Sequence, residues 1–267
     1  RKQAELNALA GINNARPLQA KLLDFFSNHF SVSRQNLAML LLSPTLETEA
    51  IAGHLHLRFS DMLVAVTQHP AMLLYLNNER SIGPNSKLAL NRKAKKRKQL
   101  GGLNENLARE ILELHTLGVN SGYTQSDVVE LAKSLTGWSV GNVRQQEPAG
   151  FVFRANSHEP ESRTVLGKQY PQQINKDQRG ANQAQGLAIL HDLANHPATA
   201  SHLSHKLATH FLSDTPPVSV VKSMTQAWFN TQGNIPSVMA ALINHDDSWQ
   251  LTAENNSTHK TDAHLKF

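Results

Sequence analysis

Between Asn104 and Trp138 the chain reads NENLAREILELHTLGVNSGYTQSDVVELAKSLTGW, and its first half concentrates groups that can do chemistry. Glu105, Glu110 and Glu113 are proton-transfer groups, Arg109 lies four residues from both Glu105 and Glu113, and His115 follows closely. On a helix wheel of about 100° per residue, Glu105, Asn106, Arg109, Glu110 and Glu113 share an arc of about 140°. Leu103, Leu107, Ile111 and Leu114 share the adjoining arc. Two acids at i, i+3 with a nearby histidine suit a divalent metal held by helix side chains. They equally suit an acid–base pair whose pKa values Arg109 would split. The same stripe also suits a solvated amphipathic helix laced by ion pairs of a few tenths of a kcal/mol each. The residue types alone leave these readings open.

Histidine is the second constellation, 14 in all, with His191, His196, His202, His205 and His210 inside twenty residues. His202 and His205 have a one-turn spacing that can hold a metal, but no third ligand stands in register with them. His196 precedes a proline and has a structural explanation as a helix cap. His29 and His210 each adjoin a phenylalanine, as semi-buried core histidines do, and His158 is expected at a loop tip. Tyr123, Gln125 and Trp138 flank the second half of the quoted stretch, where a tryptophan just past a helix end ordinarily packs. No GxSxG, P-loop, GxGxxG, HExxH or EF-hand pattern occurs.

The elements that must position these groups read as helices. Leu18, Leu22, Leu23, Phe25, Phe26 and Phe30 form one helical face behind Pro17, and Leu37 to Leu42 is expected to be buried. Leu55, Phe59, Leu63 and Val66 continue the period. His69-Pro70 and His196-Pro197 each mark a helix start, the second helix carrying Leu203, Leu207 and Phe211 and ending at Pro216-Pro217. Residues 79–101 are polar and basic and read as a flexible loop. The quoted stretch predicts helices over about 103–115 and from Thr124 to Gly137, with Thr124 and Asp127 forming a variant capping box. Asn120 and Gly122 between them tolerate positive φ. FVFRAN and RTVLGKQY predict the two strands of a hairpin around SHEPES. Helices follow from Val218 and after Pro236, and the tail from Glu254 reads as frayed. The expected fold is a mostly α, multi-helix single domain with a small β-hairpin near 151–170.

Composition bounds the rest. The chain has 267 residues, 40% hydrophobic and 18% charged, so a globular core is within reach. It has no cysteine, which excludes thiolate ligands, disulfides and a cysteine nucleophile. The net charge of +5 is local: Lys87, Arg92, Lys93, Lys95, Lys96, Arg97 and Lys98 carry seven positives, and without them the charge is −2. This segment, 87–98, is a candidate contact for a polyanion or an anionic envelope surface. It lacks the interleaved aromatics that stack on bases, so nucleic acid is disfavoured. No apolar run is long enough to span a membrane as a helix.

The stretch GLNENLARE…ELHTLG…GYTQ…LTGW closely resembles the signature of a bacterial family, domain of unknown function 1800. FFSNHF at 25–30, HPAMLLYLNN at 69–78, FVFRANSHEP at 151–160 and HPATASHLSHKLATHFLSDTPP at 196–217 resemble its other blocks, in order. The resemblance implies a mostly helical fold, export to the periplasm or beyond, and a natural chain with further helices at both ends. It also implies a sulfatase-like companion of the domain of unknown function 1501 family. It implies no particular reaction. Within it, the candidate catalytic residues are Glu105, Arg109, Glu110, Glu113, His115 and His158. The candidate binding residues are Asn104, Asn106, Tyr123, Gln125, Trp138, His196 and His210, and a divalent metal is the candidate cofactor. The leading expectation is an exported enzyme or metal-assisted site on the acidic/His stripe. The alternative is a non-catalytic envelope scaffold or partner module.

Overall fold

The structure, a computed structural model, describes residues 16–33, 36–95, 101–142, 146–172 and 183–250. Helix α1 (Pro17–His29) starts on Pro17, whose missing N–H costs nothing in a first turn, and buries Leu22, Phe25, Phe26 and His29. Helix α2 (Leu37–Thr45) is capped by Asn36, which accepts from the Met39 amide, and runs into a π turn, Leu46–Ile51. The leucines of α2 are not buried as expected. Leu37, Leu40 and Leu41 are 73%, 51% and 67% exposed, and Met39 alone of α2 is in the core. A helix apolar on every side can bury only the side that meets the fold. Here the inward contact passes to Leu46, Ala50 and Ile51 in the π turn.

Helix α3 (Phe59–Gln68) is the central element, burying Phe59, Met62, Leu63 and Val66. Leu55 is buried too, but in the turn before α3 rather than on the helix. Helix α4 (Pro70–Tyr75) follows, with His69 Nδ1 accepting from the Ala71 amide at 3.1 Å. The basic segment is not the loop expected. Lys87–Ala94 form helix α5, because Ser86 caps it and Ala89 turns into the fold. Residues 96–98 of the basic run, and the tail from Glu254, lie outside the described residues.

Helix α6 (Asn106–Glu110) leads through a second π turn (Ile111–His115) to helix α7 (Gln125–Ser134). The turn between them uses positive φ at Gly118, Asn120 and Gly122, and Thr124 with Asp127 closes the capping box. The strands pair differently from expectation. Strand β1 (Trp138–Val140) takes β2 (Phe151–Phe153) as its antiparallel partner, Trp138 opposite Phe153. Strand β3 (Arg163–Val165) folds back on β4 (Lys168–Tyr170). A two-residue turn with positive φ at both Leu166 and Gly167 closes that hairpin locally and leaves β3 no need of FVF.

Helices α8 (Ala184–Ala194), α9 (Pro197–Phe211), α10 (Val218–Thr231), α11 (Ile235–Ile243) and α12 (Asp247–Gln250) complete the described chain. His196 Nδ1 accepts from the Ala198 amide at 3.2 Å, so both His-Pro-Ala triplets cap helices in the same way. One hydrophobic cluster runs from Leu22 to Leu242. Its middle is an aromatic row in which Phe26 and Phe30 stack on Phe59, centroids 6.3 and 6.1 Å apart, and Phe59 meets Trp228 at 5.3 Å. Trp228 donates to the Ala194 carbonyl at 3.1 Å, fixing α10 to the end of α8. Among the described residues no helix is long and apolar enough to cross a membrane.

Trp138 is fully buried, and a Cβ on Gly186 would sit 2.8 Å from its ring. Gly186→Ala is therefore expected to destabilise the fold by about 1–3 kcal/mol, the usual range for overpacking a closed core. A urea midpoint unchanged from wild type would show that the α8–β1 contact is looser than this.

Candidate functional site

The π turn decides which signature residues point inward. Thr116 Oγ1 donates to the Ile111 carbonyl at 2.6 Å, five residues back, and the widened turn advances the helical phase. Leu112 is buried in consequence, while Leu114, which the straight wheel placed on the apolar arc, is 47% exposed. His115 goes into the core, its ring 5.0 Å from Phe30 and 6.0 Å from His29.

The polar stripe itself closes into a strut. Arg109 bridges Glu105 and Glu113, each at 3.3 Å, as the i, i+4 spacing predicts. Gln125, the first residue of α7, accepts from Arg109 at 2.8 Å and donates to Glu105 at 2.7 Å. Tyr123 hydrogen-bonds Glu113; burial, then that bond, push its phenol above the ordinary range. Glu110 stays half-buried beside the strut, where burial, then the Glu113 charge, hold its carboxyl above the usual range. Asn104 serves the backbone: its side chain donates to the Leu76 and Asn77 carbonyls and accepts from the Asn106 amide. Asn104, Glu105 and Asn106 also line an open polar cleft of about 680 Å³ with Arg80.

Chemistry converges at the other end of the stripe, on a residue that the motif did not contain. Lys206, on α9, donates to His29 Nδ1 at 2.9 Å. His29 Nε2 in turn lies 3.1 Å from the His115 carbonyl. That carbonyl can only accept, so Nε2 carries the proton and Nδ1 is left as the acceptor for Lys206. Burial, then the Lys206 charge, hold the His29 imidazole well below its ordinary value. The same two causes push His115 down to about 3. Burial also holds the Lys206 ammonium below the usual lysine range. The lysine makes no ion pair with a carboxylate among the described residues.

Two clefts meet at Lys206. One, of about 580 Å³, is lined by Glu113, Leu117, Gly118, Ser121, His202 and Lys206. The other, of about 430 Å³, is lined by Phe25, Asn28, His29, His205, Lys206 and His210. Gly118 is required at the first: its φ is +93°, and a Cβ there would meet the His202 ring at 2.9 Å. His202 and His205 thus face different clefts and do not converge. Among the described residues no group of three or more His, Asp or Glu is placed to hold a metal ion.

The remaining candidates lie elsewhere. His158 is not at a loop tip but buried, its Nδ1 bound to the Thr136 carbonyl at 2.8 Å. Its neighbour Glu159 is buried as well, accepting from the Asn85 amide and side chain at 2.8 and 2.7 Å, which draws the SHEPES segment into the fold. Trp138 is a packing residue and reaches neither cleft at Lys206. His196 is spent as a cap. His210 joins the second cleft, 3.8 Å from Asp24. Lys206 was legible in one respect: it lies four residues from both His202 and His210, at the edge of the apolar face Leu203, Leu207 and Phe211.

The sequence model of one family, described as Protein of unknown function (DUF1800), matches residues 1–263. The chain belongs to that family. No curated protein and no solved structure matches it. Both the strut, Glu105–Arg109–Glu113, and the π turn that buries His115 and presents its carbonyl to His29 lie within the matched residues.

Two outcomes follow from this geometry. The strut is part-exposed on every member, so Arg109→Met is expected to change stability by less than about 1 kcal/mol. A larger loss in a chemical melt would show that it carries more of the fold. The buried histidines make the fold acid-sensitive. The unfolded chain protonates His115 below its ordinary pKa of 6.5, while the folded chain does so only near 3. Stability is therefore full above that ordinary value and falls on acidification between the two, by about 1.4 kcal/mol per pH unit from His115. His29 adds a loss of the same sign. His115→Gln should flatten the pH dependence of the urea midpoint over that window.

Proposed function

We propose that this chain is the part of an exported enzyme that carries an acid–base site in the cleft between the second π turn and α9. Lys206 is the working amine and Glu113 the carboxylate on the opposite wall. The observation that carries the reading is Lys206 itself: half-buried, unpaired with any carboxylate among the described residues, and held by a neutral histidine at 2.9 Å. A lysine that only covers surface keeps its ammonium in water. One taken partly out of water without a counter-charge gains reactivity as base or nucleophile at a cost in stability. The cleft volume falls within the range of small-molecule sites.

The metal-assisted version of this reading draws no support from the described residues, and the proposed chemistry runs through the amine instead. A scaffold role has one observation in its favour, since the strut satisfies its own charges and ties α6 to α7. The strut and the cleft share only Glu113, so the stripe works as the support of the site rather than its centre. Export and a sulfatase-like companion are proposed on the family resemblance.

Competitive labelling tests the reading. The folded chain, exposed to trace fluorodinitrobenzene over a range of pH and mapped by mass spectrometry, should show Lys206 reacting as free amine at lower pH than Lys133 or Lys168. Those two lysines pair with Glu130 and Asp192. A Lys206 that titrates together with them would remove the enzyme reading and leave the scaffold.

A further inference from the structure

We infer that the Lys206 amine is a nucleophile that condenses with a small carbonyl compound bearing a hydroxyl group, held in the cleft between the second π turn and α9. The inference rests on the enzyme reading above and names its substrate class.

Three features of the cleft point to this chemistry. The first is the tautomer forced on His29. Because its Nε2 proton goes to the His115 carbonyl, Nδ1 takes one N–H from Lys206 and leaves the nitrogen lone pair of the uncharged amine unengaged. Burial favours that uncharged form. The second is the fixed acceptor across the cleft. Glu113 is held by Arg109 at 3.3 Å and by Tyr123, so its carboxylate is oriented before any ligand arrives, as a hydroxyl partner must be. The third is His202, in the cleft wall against Gly118, whose imidazole burial and then the Lys206 charge keep below its ordinary value. A neutral imidazole can both take and return a proton. Leu117, Val119 and Ala198 add apolar patches to walls that otherwise carry the polar groups Glu113, Ser121, Ser201 and His202.

The step balances without a co-reactant. The amine nitrogen forms a bond to the carbonyl carbon, and the C=O pair becomes an alkoxide. Transfer of a nitrogen proton to that oxygen, by way of His202, gives the carbinolamine. The C–O bond then breaks, the oxygen leaves as water with the remaining nitrogen proton, again carried by His202, and the nitrogen pair forms the C=N bond of a neutral imine. Nothing is oxidised or reduced. Glu113 accepts a hydrogen bond from the hydroxyl group of the substrate and takes no part in the proton transfers.

The test uses the full chain with glycolaldehyde and sodium borohydride near neutral pH, read by peptide mapping. Lys206 should be trapped faster than Lys133 or Lys168, because burial favours its free amine and those two lysines sit in ion pairs. Acetaldehyde, which lacks the hydroxyl, should be trapped more slowly, and Glu113→Gln should erase that difference. His202→Gln should slow trapping while leaving fluorodinitrobenzene labelling of Lys206 as it was, which separates proton transfer from folding. Lys206→Arg should abolish the adduct at that peptide; if it fails to fold, the wild-type map and His202→Gln decide alone. Early fluorodinitrobenzene labelling without borohydride trapping would overturn the carbonyl inference and leave the enzyme reading standing. Equal trapping of both aldehydes would overturn the hydroxyl requirement. A Lys206 no more reactive than other lysines to either reagent would sink both.

Discussion

The hydrogen bond from His29 to the His115 carbonyl joins the first described helix to the second π turn, 86 residues apart. Everything at the site follows from its direction. A carbonyl acceptor fixes the imidazole as the Nε2–H tautomer, and the opposite nitrogen must then receive rather than give. Lys206 fills that place from α9, so one imidazole ties three separate stretches of chain together. The bond can form only because the π turn presents this carbonyl toward α1, and the turn in turn needs Thr116 to satisfy the Ile111 carbonyl left five residues back. A regular helix through the same residues would bury Leu114 instead of Leu112 and aim the carbonyl elsewhere.

Around this bond the fold is built from ordinary parts. Phe26, Phe30, Phe59 and Trp228 form an apolar row against which His29 and His115 lie, so both imidazoles are desolvated by aromatic neighbours rather than by charge. Desolvation costs stability and is offset by the surrounding packing, an arrangement common where a site needs neutral histidines. The charged residues of the signature are arranged differently. Glu105, Arg109, Glu113 and Gln125 satisfy one another at the surface, at small net gain, and hold the π turn against α7. Their service to the site is rigidity.

The exposed leucines of α2 and the helical part of the basic segment stand apart from this arrangement. Leu37, Leu40 and Leu41 follow one another at i, i+3, i+4 on a helix whose core contact is made by Met39 and the π turn beyond it. Helix α5 carries Lys87, Arg92 and Lys93 over a buried Ala89, and its start is pinned through Asn85 to Glu159. These are surface properties set by where the helices attach.

What the sequence determined by itself was whatever depends on atoms within a turn or two of one another. The two His-Pro-Ala caps, the Thr124–Asp127 box, the positive φ at Asn120 and Gly122, and the bridging of Arg109 to both acids all formed as the spacing predicts. Helical content and the family were legible for the same reason, since period and motif order are local or linear signals. Tertiary structure decided what depends on distant partners. It chose β1 for FVF, exposed the α2 leucines, drew His158 and Glu159 inside, and brought Lys206 against His29 beside the end of the acidic stripe. A lysine between two histidines on a helix face has no visible role in one dimension. Its partner His29 is 177 residues away, and only the packing of α1, the π turn and α9 takes its amine out of water.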